Sequence, residues 1–230
     1  MNTSKTIRAW HFSNGTLGYE DNRPIIQGLS LACEPDKIGL CNYGFHASLD
    51  IRDALRYAPN DTTTISLVEL GGSIIEDDGK CVASIRRHLA VANCERTLHE
   101  FAIWCAEQAL ALIDVPDPRS LETLAVKRRW LDGNATDEEL ADARNDPGTA
   151  TWLATEDTVM DASGDKARAA AWNAASNAAW AAAWVAAQGT AMDTSGDKAR
   201  AAGWAAVLAT QSEQLESMIR ALPEFQEAIV

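Results

Sequence analysis

Four histidines, no CxxC pair and no apolar run near the length of a membrane span leave this 230-residue chain with few of the usual handles for chemistry. Its five cysteines, Cys33, Cys41, Cys81, Cys94 and Cys105, are odd in number and irregular in spacing. That pattern argues against both a disulfide framework and a zinc ribbon, so reduced and mostly buried thiols are expected, with no metal site. No HExxH, P-loop, Gly-x-Ser-x-Gly or dinucleotide fingerprint occurs, which removes the commonest metalloprotease, nucleotide-hydrolysing, esterase and Rossmann readings. The opening MNTSKTIRAWHFSNG lacks the apolar stretch of a signal peptide, and no segment approaches ~18 apolar residues. A cytoplasmic protein without membrane spans is the expectation.

Positive charge is scarce too. Lys and Arg number 20 against 33 Asp and Glu, a net charge of −13. Nucleic-acid phosphates are bound by Lys and Arg that neutralise charge and release counterions, so direct nucleic-acid binding is disfavoured. An acidic surface suits a partner with a basic groove, although net charge alone speaks first to solubility. The deficit is concentrated: residues 1–92 hold 9 Lys and Arg against 11 Asp and Glu, and residues 93–230 hold 11 against 22, or −11. Glycine is skewed the other way, with 8 of 14 before residue 93. Together these shifts predict an α+β chain: a small mixed or antiparallel sheet domain over 1–92, helices bridging over 93–147, and an Ala/Trp-rich helical repeat region over 148–230.

Within the first part, Ile7–Ser13 reads as a strand ended by Asn14-Gly15. A short strand over 40–48 leads into a helix over 49–57 that Ser48 or Asp50 would cap and Pro59-Asn60 would close. Thr62–Leu70 combines β-branched residues with partial alternation and is expected to stop at Gly71-Gly72. Further strands over 73–76 and 82–91 flank the acidic turn Asp77-Asp78-Gly79-Lys80. From Cys94 the period becomes helical: Leu98, Phe101, Ala102, Cys105, Ala109 and Leu112 form one stripe. A second helix is expected over 120–131, and Thr136-Asp137-Glu138-Glu139 has the form of a capping box. Pro147-Gly148 then breaks the chain.

Beyond that break lies an internal repeat. Val159–Trp172 returns 32 residues later as Ala191–Trp204, with 11 of 14 positions identical. Such a unit must stack on a neighbour to bury its apolar face. Ser163 and Ser195 would cap two helices starting at equivalent points, with Asp165 and Asp197 in their first turns. Trp172, Trp180 and Trp184 fall within about 120° on a helical wheel. Their spacing favours a packing seam, each indole burying roughly 150 to 250 Å²; an exposed stripe used for binding is the alternative. Asp161, Ser163 and Asp165 imitate the start of a calcium loop, but the sixth place is Lys166 and the twelfth Trp172, where such a loop needs glycine and a bidentate acid.

Candidate chemistry rests on His11 and His46, both in short strands beside aromatic residues. At these positions the chain resembles a domain family encoded widely by bacteriophages, through Ala9-Trp10-His11-Phe12-Ser13, Gly44-Phe45-His46-Ala47-Ser48, Asp53-Ala54-Leu55-Arg56-Tyr57-Ala58-Pro59 and Val68-Glu69-Leu70-Gly71-Gly72. No activity comes with that resemblance. It implies a phage protein acting inside a bacterial host, and an anti-defence role of the anti-CRISPR kind, binding a host or defence protein, fits the acidic helical part. More distantly, the progression from Gly44 through Tyr57 to Gly71 is similar to ADP-ribosyltransferases. That similarity implies an NAD cleft in which His11 fixes the ribose, His46 lies alongside, Tyr57 stacks and Glu69 is the available acid. A late-strand glutamate after Val82, which that family uses, has no counterpart. A structural protein that oligomerises through its repeat is the third reading.

Overall fold

The computed structural model describes residues 5–18, 22–145, 161, 162, 164, 166–187 and 194–226. By internal contact the chain forms two compact units, 1–95 together with 215–230, and 96–214. The architecture is α+β. The 93–147 segment thus falls in the second unit from Arg96 onward, and the last residues of the chain belong with the sheet.

The first unit is built on five strands: β1 (Ile7–Ser13), β2 (Ser30–Ala32), β3 (Phe45–Ala47), β4 (Thr64–Asp77) and β5 (Lys80–Asn93). All pairings are antiparallel, in the order β1-β4-β5-β2, with β3 also on β5. Trp10 and Ser48 exchange backbone hydrogen bonds of 2.7 and 3.0 Å, tying the end of β3 back to β1. β1, β4, β5 and β3 therefore form a closed circuit. Between β3 and β4 in the chain runs α1 (Ile51–Arg56), capped as expected by Asp50, whose carboxylate accepts from the Arg52 and Asp53 amides at 2.8 and 3.2 Å.

Gly71-Gly72 does not end β4. The strand continues to Asp77 through a register shift between Gly71 and Ile74. Gly72 takes a φ of +72°, where a Cβ would meet the Ser84 hydroxyl, and that hydroxyl accepts the Ser73 amide at 2.9 Å. A side chain replaces the ladder partner that the bulge removes, so the two glycines bend one strand where the sequence suggests two. The hairpin then turns at Asp78-Gly79, as expected.

Trp10 is buried against Phe225 of α7 (Pro223–Gln226), ring centroids 5.8 Å apart, and the Arg220 guanidinium lies 5.2 Å over the indole. Leu215, Ile219 and Phe225 are fully buried, which is why the C-terminal residues count with the sheet.

The second unit is helical: α2 (Glu95–Leu110, of which Glu95 counts with the sheet unit), α3 (Pro118–Leu131), α4 (Asp137–Asn145), α5 (Ala167–Ala187) and α6 (Thr194–Arg220, whose last residues count with the sheet unit). α3 starts two residues before the expected 120, with Pro118 in its first turn where the missing N–H costs nothing, behind an Asp117 cap. The Thr136–Glu139 capping box closes both ways, at 2.7 and 3.1 Å. Lys127 is wholly buried, donates to the Gly164 carbonyl at 2.7 Å and sits 3.9 Å over the Trp130 ring.

The repeat copies do not start their helices at equivalent points. α5 begins at Ala167, whose counterpart is Ala199, yet α6 begins at Thr194, so Ser195 lies inside a helix. Ser163, Asp165, Pro147 and Gly148 fall outside the described residues.

The tryptophan seam is likewise overturned at Trp180 and Trp184, whereas Trp172 is half-buried. Ala170, Ala171, Ala174, Ala175, Ala178, Ala179 and Ala181 form the buried face of α5, while Trp180 and Trp184 are 54% and 55% exposed and stack on each other 5.8 Å apart at 11°. The cause is close helix approach. A Cβ added at Gly203 of α6 would stand 2.8 Å from the Ala186 Cβ and 3.3 Å from the Ala182 carbonyl. A gap that narrow has no room for an indole.

Gly203→Ala gains about 1 kcal/mol of helix propensity but forces overpacking at this seam, with a cost of about 1 to 3 kcal/mol. We expect a lower urea midpoint for unfolding of the helical unit; an unchanged or higher midpoint refutes the close-approach account.

Candidate functional site

His46 is placed by glycine. Gly44 holds a φ of +113°, and a Cβ there would stand 2.7 Å from the Val82 side chain, so only glycine lets β3 lie this close to β5. The His46 ring is then bound at both ends: Nε2 accepts the Cys41 amide at 3.0 Å and Nδ1 faces the Gly44 carbonyl at 3.1 Å. Because an N–H donates to Nε2, that atom carries no proton, and Nδ1–H donates to Gly44. Cys41 adopts a φ of +59°, a cost that the hydrogen bond to His46 helps to offset. Burial lowers the His46 pKa, with the Arg86 and Lys80 charges adding, against the hydrogen bond to the Gly44 carbonyl. The ring is a neutral brace.

His11, on β1, is brought beside β3 by the Trp10–Ser48 exchange. Its pKa is held well below the usual value, by burial first and then by Arg86, His88 and His46. The His11 and His88 rings meet edge to face at 6.3 Å. Tyr57 caps the end of α1 with its ring half-exposed, faced by the Arg56 guanidinium at 5.6 Å and the Lys80 ammonium at 5.4 Å.

His11, His46 and Tyr57 line one cavity of about 490 Å³, with Trp10, Cys41 and Lys80. Lys80 donates to the Cys41 sulfur at 3.0 Å. A second cavity of about 760 Å³ is also bordered by His11 and His46 and adds Arg23, Glu34, Tyr43 and Arg86.

Glu69 lines neither cavity. It stands in register between Arg8 of β1 and Arg87 of β5, where opposite charges across strands account for a carboxylate. Three of the four candidate residues therefore come together and the acid does not. Among the described residues the first cavity has no carboxylate in its wall, and the one in the second, Glu34, pairs with Lys37 at 2.7 Å. What converges is neutral imidazole and positive charge, an arrangement that attracts anions and gives nothing to a developing oxocarbenium ion.

Arg86, His88, Lys80 and Cys41 join the site without having stood out in the sequence. The alternation Val82, Ser84, Arg86, His88 along β5 carries the signal for two of them, since it puts a charge and an imidazole on an inward-facing row. Cys41 and Lys80 meet only through the fold.

Among the described residues no group of three His, Cys, Asp or Glu is arranged to hold a metal ion, and no helix is long and apolar enough to cross a membrane. No protein-family model, curated protein or solved structure matches the chain.

Cys41 is the exposed thiol, whereas burial pushes the Cys81 and Cys94 thiols up to about 11 and about 12. Iodoacetamide at pH 7 should modify Cys41 at least tenfold faster than Cys81, Cys94 or Cys105, followed by peptide mass spectrometry; similar rates at all sites contradict the burial pattern.

Burial, aided by Arg86, pushes His88 down to about 3. Its neutral form is the one that folds, so its contribution is fully present above pH 6.5 and is lost as pH falls from 6.5 toward 3, at a limiting slope of about 1.4 kcal/mol per pH unit. Urea midpoints at pH 7, 6 and 5 should fall less steeply for His88→Leu than for the parent. Parallel slopes count against a neutral buried His88.

Proposed function

We propose that this chain is a non-enzymatic binding protein that engages a host or defence protein through its acidic helical unit. The observation that carries this reading is the stacked, exposed Trp180–Trp184 pair on the outward side of a helix whose other face is buried alanine. A single exposed tryptophan is unremarkable, but two held parallel present a rigid apolar platform of the kind enriched at binding hot spots. The resemblance to phage-encoded domains supports an intracellular bacterial partner, and an anti-defence role fits the acidic helical unit. The −11 excess over residues 93–230 supports a basic partner surface, which would be steered to the platform by charge.

A second reading is favoured by the convergence of His11, His46 and Tyr57 on one cavity, which suits an NAD-binding cleft of the ADP-ribosyltransferase kind. The position of Glu69, away from that cavity, weighs against transfer chemistry. Incubation with labelled NAD and lysate separates the readings, since label transfer or NAD cleavage favours the enzyme. A structural role through self-association is the third, and light scattering in solution decides it.

Affinity capture from bacterial lysate should retain a partner on the parent protein. The pair Trp180→Ser and Trp184→Ser should weaken that complex by roughly 30-fold, and Glu138→Lys with Asp142→Lys by several-fold. Capture indifferent to the tryptophans removes the basis for this reading.

A further inference from the structure

Arg86 is only 4% exposed, yet it pairs with no carboxylate among the described residues. Nη1 donates to the His46 carbonyl at 3.2 Å, the guanidinium lies 5.1 Å over the Phe45 ring, and Nε has no hydrogen-bond partner. A buried charge held this way is costly, because one neutral carbonyl and a ring face replace a full shell of water. The neighbourhood does not compensate. Register places His11 opposite Ser66, Val68 opposite His88 and Leu70 opposite Arg86, and positions 66, 68 and 70 share one face of β4. His11, Ser66, His88 and Arg86 thus gather on one face, with the Ser66 hydroxyl and both His88 ring nitrogens also buried and unpartnered. None of them supplies negative charge.

We propose that the second cavity is a receptor for an oxyanion, a carboxylate or phosphate carried by a small molecule, with Arg86 as its anchor and His11 in its wall. Three features of this site support that. Arg86 borders the cavity while its unpartnered Nε is buried, so the protein leaves this charge uncompensated at the cavity wall. A guanidinium with a free Nε offers the forked donor pair that oxyanions accept in bidentate fashion. Glu34, the carboxylate in the same wall among the described residues, is occupied by Lys37, so it does not neutralise Arg86. The volume, about 760 Å³, falls within the range of small-molecule sites and leaves space for the organic part of the ligand beside Tyr43.

The test is titration of the full-length protein with inorganic phosphate and, separately, with succinate, at ionic strength matched by sodium chloride, following the Arg86 Nε–H resonance and the His11 and His88 imidazole signals. One or both anions should give a saturable shift of those signals that chloride does not. Arg86→Gln should lose at least tenfold in affinity, and Arg86→Lys, which keeps charge but not the fork, should lose part of it. Phosphate alone or succinate alone identifies the oxyanion. If Arg86→Gln fails to fold, the parent signals decide. No saturable shift with either anion up to tens of millimolar overturns the proposal, as does unchanged binding in a folded Arg86→Gln.

Discussion

Two backbone hydrogen bonds between Trp10 and Ser48 hold the sheet unit in the form that makes a site. Without them β3 would hang from β5 alone, and His46 would have no fixed relation to His11. With them the four strands close, and the short β3 puts His46 where the Cys41 amide donates to its ring and the Arg86 guanidinium donates to its carbonyl. Trp10 is anchored in turn by Phe225 and Arg220, contributed by the far end of the chain. The exchange is local in the sheet but depends on residues more than 200 positions away, so the sheet unit is complete only once the segment from Leu215 to Phe225 is in place.

Much of this was legible in the sequence where local chemistry decides structure. The extent of β1, the Asp50 cap, the Asp78-Gly79 turn and the Thr136–Glu139 box each depend on residues within a few positions of one another, and each was found where expected. Where a partner from elsewhere in the fold decides, the sequence was silent or misleading. Gly71-Gly72 has the composition of a strand end, but the Ser84 hydroxyl converts it to a bulge. The C-terminal segment looked like part of the helical repeat, because nothing in Leu215, Ile219 or Phe225 announces a sheet as their neighbour.

The tryptophans show a different kind of failure. Wheel spacing correctly put Trp180 and Trp184 on one side of a helix, and the energetics of burying indole then favoured that side as the core. The competing term is approach distance. Two helices meeting through alanine and glycine gain contact along their backbones, and the seam so formed accepts methyl groups only. Of the repeat's three departures from identity, Ala171 to Gly203 is the one that matters here, since the second copy's glycine lies against Ala182, Ala183 and Ala186 of the first copy's helix. The repeat is thus unequal in its packing: one copy gives the wall and the other the residue that fits it.

The candidate site was half legible for a related reason. His11, His46 and Tyr57 are residue types that draw attention wherever they occur, and the fold did bring them together. Yet the backbone uses both ring nitrogens of His46, and cations face the Tyr57 ring, so these residues shape the cavities more than they react in them. The charge imbalance comes instead from Arg86, a residue that reads as an ordinary strand position until its burial and its lack of a carboxylate are seen together. A chain with an excess of 13 negative charges has abundant acid to neutralise one arginine. That the acids lie elsewhere, with Glu69 between Arg8 and Arg87 and Glu34 on Lys37, leaves the positive charge at the cavity open to a ligand rather than to the protein itself.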